Sequence, residues 1–173
     1  MKRVYWMRHG IAVELGENGI HHDEDRPLSN EGRFKTRAVA QGLQSLQAIP
    51  TVIGTSPLVR TMQTAEIVHR TLNVHIPIQS CPFMVPGSDS AAAFDWIRRQ
   101  SGDAVMLIGH MPDMTWLTHA CLPAAERSPM HFKKASVASV LFPDAVAPGA
   151  GRLEWFHPPK MLRALGETRR QNE

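Results

Sequence analysis

The sequence predicts a three-layer α/β domain in which a mixed, mostly parallel sheet lies between helices. Strand-like and helix-like segments alternate along most of the chain, which is typical of this class. Two apolar strands end directly in a histidine or an Arg-His pair, and two β-rich segments follow one another near the end of the chain. Because ligands of such sheets bind beyond the carboxyl ends of the strands, we expect these histidines at a ligand site.

The chain opens with a strand and a helix. Residues 2–8 form an apolar run rich in β-prone side chains, which favours a central strand. Ser29 is positioned to cap a helix over residues 30–47. The helical spacing predicts one inward face, which comprises Phe34, Ala38, Leu43 and Leu46.

The middle of the chain continues the alternation. A short strand is expected at residues 51–55, followed by a helix with Ser56 as its N-cap and Pro57 as its first residue. Residues 74–78 are expected to form an edge strand, because Pro77 has no amide proton to donate to a neighbour.

The second half contains the most apolar strand, which ends in His110 and so repeats the pattern of the first strand. The remaining predicted elements are helices over residues 89–100 and 112–121 and strands over residues 104–109, 135–142 and 151–157. The last two strands are separated by a Pro- and Gly-rich stretch, which predicts an antiparallel pair.

Length and composition predict one domain. A chain of 173 residues with 43% hydrophobic and 20% charged residues suits a single core, expected over residues 1–163, with a flexible tail at 164–173. Cys81 and Cys121 are too few to form a disulfide framework, which fits a reducing compartment.

Charge and hydropathy limit the classes of partner. No segment reaches the roughly 18 apolar residues that cross a bilayer, so we expect a soluble cytoplasmic protein without a membrane partner. The net charge of +3 suits an anionic ligand better than nucleic acid, because the basic residues form scattered pairs rather than one stripe. Nothing in the sequence indicates an oligomeric state.

Basic and imidazole side chains recur where predicted strands end: Arg8, His9, Arg60 and His110. Arg60 lies in the first turn of a helix, whose free N–H groups attract anions, and its guanidinium can bind a phosphate through two parallel hydrogen bonds. Each residue alone has an ordinary structural explanation. Their shared position at one sheet edge predicts a pocket for a phosphate dianion.

Five motifs resemble the histidine phosphatase superfamily, also called phosphoglycerate-mutase-like. They are "RHG" at 8–10, "DEDRPLSNEG" at 23–32, "SPLVRTMQTA" at 56–65, "IGH" at 108–110 and "FHPPKML" at 156–162. The second and the last, together with the short chain, resemble the SixA-type phosphohistidine phosphatases. The resemblance covers most of the chain in the same order, so it is far more specific than one tripeptide.

The resemblance implies a six-strand sheet and a phosphatase mechanism without a metal or other cofactor. His9 would be the nucleophile that takes the phosphoryl group, and Arg8, Arg60 and His110 would hold its oxygens. Arg26 is a further candidate for substrate binding. An imidazole nucleophile must be neutral, so we expect a backbone carbonyl to fix the tautomer of His9.

The chain departs from the wider family at the group that protonates the leaving atom. Many relatives carry a glutamate in the loop after the third strand or an aspartate directly after the second histidine. In this chain those regions contain Phe83 and Met111, which have no acidic proton. The weaker candidates for a general acid are Glu14, Asp23, Asp25 and Asp113. The leaving group of phosphohistidine is an imidazole, whose conjugate acid has a pKa of about 6.5, so it depends less on a general acid than an alkoxide does. We therefore expect a phosphorylated substrate of this kind, carried by a signalling or phosphotransfer protein.

Three alternatives remain at this point. The same scaffold could serve a broad-specificity small-molecule phosphatase or a noncatalytic phosphoprotein-binding module. A metal-dependent hydrolase could use His21 and His22 with His9, His110 and Asp113, although their spacing matches no common zinc site. Lys133, Lys134 and Lys160 are interpreted mainly as a solvated face, with a role at the pocket rim as the alternative.

Overall fold

The computed structural model describes residues 1–87 and 89–172, which form one six-stranded sheet with helices on both faces. The strands are β1 (Lys2–Arg8), β2 (Val52–Thr55), β3 (Ile78–Ser80), β4 (Ala104–Gly109), β5 (Val137–Phe142) and β6 (Arg152–His157). The helices are α1 (Asn30–Ser45), α2 (Val59–Leu72), α3 (Ser90–Arg99), α4 (Asp113–Cys121) and α5 (Pro159–Asn172). The predicted α/β class is confirmed.

The strand order β3-β2-β4-β1-β5-β6 brings three important strand ends together. The first four strands of this order run parallel, β5 is antiparallel to β1, and β6 is antiparallel to β5. The carboxyl ends of β2, β4 and β1 are therefore neighbours. Arg8 pairs with Gly109 in the register of β1 and β4, so His9 and His110 leave the sheet side by side.

Two apolar cores lie on opposite faces of the sheet and make the fold three-layered. Alternate residues of β1 point to opposite faces, so Tyr5 and Met7 belong to the core beneath α1, α2 and α5. Val4 and Trp6 belong to the other core, with side chains from α3 and α4. Each large apolar side chain buried in this way stabilises the fold by roughly 1.5–3 kcal/mol.

Helix α1 packs unusually close to its neighbours through glycines. A Cβ atom at Gly32 would lie 1.9 Å from the carbonyl oxygen of Ile11, and one at Gly42 would lie 1.9 Å from that of Leu162 in α5. Ser29 caps the helix as predicted, since its Oγ accepts a hydrogen bond from Gly32 N at 3.0 Å. The prediction that Phe34 faces inward is wrong: it is 69% exposed, because small residues form the contact face.

Two element boundaries differ from the prediction. Helix α2 begins at Val59 rather than at Pro57, because Leu58 is extended and takes the cap position. The Ser56 hydroxyl accepts a hydrogen bond from Leu58 N at 3.4 Å and also pairs with the ring of His110. The edge strand is found at Ile78–Ser80 rather than at 74–78, although Pro77 still accepts a hydrogen bond from Ile53 N.

The last helix extends into the region where the sequence predicts a flexible tail. Helix α5 continues to Asn172, so residues 164–172 of the expected tail are helical; their mobility and the boundary at 163 stay predictions, and Glu173 lies outside the described residues. Cys81 and Cys121 are buried and free. Within the described residues, no helix has the length and hydropathy to cross a membrane.

Candidate active site

His9 and His110 face each other beyond the ends of β1 and β4. Their ring centroids are 5.2 Å apart, and the residues are only 4% and 3% exposed. His9 N also donates a hydrogen bond to Gly109 O at 3.1 Å, which continues the β1–β4 pairing by one residue. The sheet register thus brings together two imidazoles that are 101 positions apart in sequence (110 − 9).

The His9 ring is held as a neutral imidazole with one free nitrogen. Its Nδ1 lies 2.7 Å from Gly10 O. A carbonyl only accepts hydrogen bonds, so Nδ1 carries the proton and Nε2 keeps its lone pair. Burial lowers the pKa of His9 to about 2, helped by the nearby charges of Lys134 and by His110 and Arg60, against the opposing Gly10 carbonyl. This is the state that an imidazole nucleophile requires.

Backbone hydrogen bonds fix the segment that carries His9. Gly10 N donates to Thr64 Oγ1 at 3.1 Å, and the same hydroxyl donates to Arg60 O at 2.7 Å. On the other side, Ala135 N donates to the carbonyl oxygens of Arg8 and His9 at 3.1 and 3.0 Å. The nucleophile candidate is thereby attached to both α2 and the loop before β5.

Arg60 and His110 form one hydrogen-bonded unit. Arg60 is 4% exposed, and its Nη2 lies 3.5 Å from Nδ1 of His110. Because arginine only donates, Nδ1 is the acceptor, so Nε2 of His110 donates to Ser56 Oγ at 3.0 Å. Burial lowers the pKa of His110 to about 4, with a further contribution from the charge of Arg60. His110 is thus neutral at physiological pH in the ligand-free protein.

Arg8 and Lys134 add positive charge to the same region. Arg8 Nη1 donates to Phe132 O at 2.7 Å, while its buried Nε has no partner among the described residues. Lys134 is half-buried, and burial with the charges of Arg8, Arg26 and Arg60 lowers its pKa to about 8. A cluster of cations this close together favours binding of a dianion.

Asp23 connects the loop at 11–28 to this cluster. Its Oδ2 accepts from Arg60 Nη2 at 2.8 Å, and its Oδ1 accepts from Arg26 Nη1 at 2.9 Å. Burial alone would raise the pKa of Asp23, but hydrogen bonds and charges from Arg26 and Arg60 hold it below its ordinary value. Arg26 is therefore linked to Arg60 through Asp23. Its Nε also donates a hydrogen bond to Val13 O at 2.7 Å, which holds Arg26 within the loop.

The other candidates for a general acid lie in different surroundings. Glu14 and Asp25 are exposed, and Glu14 only approaches Arg26 at 3.9 Å. Asp113 is buried, with Oδ2 accepting from Gly87 N at 3.0 Å and Oδ1 unpartnered among the described residues. Phe83 and Met111 pack against the core. The described residues contain no cluster of three or more His, Cys, Asp or Glu side chains suited to a metal ion.

Sequence reasoning missed three residues at this site. The sequence predicts Ser56 only as a helix cap, carries no signal for Thr64, and favours a solvated face for Lys134, with the pocket rim as the alternative. Only the topology could reveal the last, because Lys134 precedes the strand that pairs antiparallel with β1. The hydrogen bonds of Ser56 and Thr64 depend on the start of α2, which the sequence placed too early.

Comparison with known proteins agrees with this geometry. The family model "Histidine phosphatase superfamily (branch 1)" matches residues 4–82. An uncharacterised protein of Picosynechococcus is 35% identical over 138 residues, which cover 78% of this chain and 81% of that protein. Phosphohistidine phosphatase SixA of Escherichia coli is 27% identical over 170 residues, covering 94% and 99%.

Comparison of the fold with solved structures also indicates similarity to a histidine phosphatase. The solved structure of the protein histidine phosphatase SixA complexed with tungstate superposes with a TM-score of 0.80 at 26% identity, covering 92% of this chain and 99% of that one. Sequence motifs, sheet topology and relatives therefore agree. The chain belongs to the histidine phosphatase superfamily, branch 1, as a phosphatase and a homologue of SixA.

Proposed function

We propose that this phosphatase hydrolyses phosphohistidine on a signalling or phosphotransfer protein, through a phosphorylated His9 and without a metal. The names of two relatives, phosphohistidine phosphatase and protein histidine phosphatase, support the substrate class. The observation that carries the proposal is the His9 ring, buried and neutral, with Nδ1 fixed by Gly10 O and Nε2 left free.

The reaction has two displacements at phosphorus. Nε2 of His9 attacks, the P–N bond of the substrate breaks, and the leaving imidazole takes a proton from solvent. Water then attacks phosphorus, the P–N bond to His9 breaks and its electron pair returns to Nε2, and inorganic phosphate leaves with the oxygen of the water while one water proton passes to solvent. His9 is then neutral again. In both steps charge spreads over the equatorial oxygens, where Arg8, Arg60 and His110 would stabilise it.

The leaving group explains why phosphohistidine is favoured over an alkyl phosphate. Both oxygens of Asp23 are bonded to arginines, and Phe83 and Met111 have no acidic proton to give. Imidazole needs little help on departure, because its conjugate acid has a pKa of about 6.5, whereas an alkoxide needs a strong proton donor. A noncatalytic binding module would have no need for a neutral nucleophile at residue 9.

The test is a panel of four substrates assayed with a chelator present: a phosphohistidine protein, a small phosphoramidate, an aryl phosphate and 3-phosphoglycerate. We expect the two P–N substrates to be hydrolysed at least about ten-fold faster than 3-phosphoglycerate. Faster turnover of the ester would favour the small-molecule phosphatase, and loss of activity with the chelator would overturn the metal-free mechanism.

The nucleophile is tested with a matched pair of variants. His9→Ala should lose at least about a thousand-fold in kcat and any acid-labile phosphate label on the protein. His21→Ala, which removes an exposed histidine, should retain both. A His9→Ala protein with normal turnover would contradict the assignment.

A further inference from the structure

A cavity lies directly beside the segment that carries His9. Its volume is about 240 Å³, and its apolar lining comes from Ile11, Ala135 and Pro159. Ile11 is two residues from His9, and Ala135 N donates to the backbone of both Arg8 and His9. The cavity therefore adjoins the phosphate pocket without including its histidines.

The same cavity is strongly basic. Its charged lining residues are Lys35, Lys133, Lys134 and Arg163, and none of the described lining residues is acidic. Lys35 pairs with Glu31, but within the described part of the chain Lys133 and Lys134 form no ion pair. Lys133 is exposed and the other three are partly exposed, so the cavity presents several like charges to solvent, which a bound anion would offset.

A buried hydroxyl in the wall also lacks a partner. Thr36 is fully buried, lines the cavity, and its Oγ1 has no hydrogen-bond partner among the described residues. A Cβ atom at Gly10 would lie 2.3 Å from this oxygen, so the hydroxyl sits against the residue that follows His9. Because Thr36 has no accessible surface, it marks the closely packed floor of the cavity, where the cavity meets the segment that carries His9.

The combination of an apolar lining with cations suits a carboxylate on a short aliphatic stem. The methylene groups of a glutamate or aspartate can contact Ile11 and Pro159, while its carboxylate oxygens meet the lysines. We propose that this cavity binds an acidic side chain of the phosphorylated protein substrate while the phosphoryl group occupies the His9 pocket. Lys134 is close to both, since it lines the cavity and its charge acts on His9.

This inference rests on the proposed function, and paired peptides test it. Two phosphohistidine peptides are compared that differ only in carrying glutamate or glutamine beside the phosphohistidine. We expect the wild-type protein to favour the glutamate peptide by about ten-fold in kcat/KM at low ionic strength, mainly through KM. In the double variant Lys35→Ala/Arg163→Ala the preference should fall towards one, while turnover of a small phosphoramidate stays unchanged.

Lys160→Ala is the matched control, because it removes an exposed lysine near the cavity that does not line it. It should keep the preference. Equal kcat/KM for the two peptides in the wild type, or a preference that persists in the double variant, would overturn the proposal.

A binding measurement separates this proposal from the proposed function. The unphosphorylated glutamate peptide should shift the NMR signals of the Thr36 and Ile11 methyl groups, and the glutamine peptide should not. If the protein hydrolyses no phosphohistidine at all, the proposed function fails, and the methyl shifts still decide the acidic subsite. Shifts that are absent or equal for both peptides would reject it.

Discussion

Asp23, in the loop at 11–28, forms an ion pair with the guanidinium of Arg60. Arg60 Nη2 donates to Asp23 Oδ2 at 2.8 Å, and Arg60 Nη1 donates to the main-chain oxygen of Asp23 at 2.6 Å. A phosphoryl group bound here would accept hydrogen bonds from the same Arg60 donors. If Arg60 binds the phosphoryl group as proposed, Asp23 competes with that anion, and its contacts with Arg60 also attach the loop at 11–28 to α2.

Asp23→Asn should strengthen the binding of inorganic phosphate by about three- to ten-fold, because the variant removes the negative charge that competes for Arg60. The measurement is the inhibition constant for phosphate with an aryl phosphate as substrate. Asp25→Asn, a neutralisation on the same exposed turn, should change it little. Weaker phosphate binding together with a large loss of kcat on alkyl substrates would instead identify Asp23 as a proton donor.

The two buried histidines should make the fold sensitive to mild acid. Burial lowers the pKa of His9 to about 2 and that of His110 to about 4, whereas both titrate near 6.5 when unfolded. Below pH 6.5 the unfolded chain binds protons that the folded chain does not, so the free energy of unfolding falls as pH falls. Each histidine contributes about 1 kcal/mol per pH unit once the unfolded form is protonated.

Urea unfolding at several pH values between about 6.5 and 5 checks this. His9→Asn should remove its share of the slope, and the exposed His21→Asn should leave the slope unchanged. The same slope in His9→Asn and the wild type would show that His9 is not buried as a neutral ring.

Lys134 should give the activity an alkaline limit. Burial with the charges of Arg8, Arg26 and Arg60 lowers its pKa to about 8, so its charge is lost as pH rises through that value. We expect kcat/KM to fall above pH 8, and kcat to fall only at higher pH, because a bound anion stabilises the charged lysine. Lys134→Arg should move this limit upward. Lys134→Gln should be about ten-fold slower than the wild type below pH 8, lack the alkaline limit and approach the wild type at higher pH; an unchanged profile would exclude Lys134.

Gly42→Ala should destabilise the fold without changing the chemistry. A methyl group at residue 42 would lie 1.9 Å from the carbonyl oxygen of Leu162, so α5 must move away from α1. We expect a loss of about 2 kcal/mol or more in the free energy of unfolding, measured with urea. Arg37→Ala, at an exposed position of the same helix, should cost little. A stability loss of equal size in both variants would refute the close-contact explanation.

The sequence predicted five of the six strands well because their apolar runs are strong local signals, whereas the short edge strand β3 lies later than expected. It also predicted the residues that meet at the edge: His9, Arg60 and His110 each follow a strand whose end is adjacent to the others. The prediction that Phe34 faces inward is wrong, because helix periodicity cannot show that glycines, rather than the largest side chain, form the contact with α5.

The remainder of the site depends on contacts between distant segments. Asp23 and Arg60 are 37 residues apart, and their bond depends on the path of an irregular loop that no periodicity describes. Lys134 was not assigned to the site because a lysine next to another lysine usually faces solvent. Its proximity to His9 follows from the pairing of β5 with β1.

The pairing of Arg8 with Gly109 has a consequence for how this protein can change over time. A slip of one residue between these strands would turn alternate side chains to the opposite face and separate the two imidazoles, so reactivity and folding fail together. The loops at 11–28 and 81–87 take no part in this register. Substitutions in the loops can therefore change the substrate, while selection for a folded sheet also keeps the two imidazoles in place.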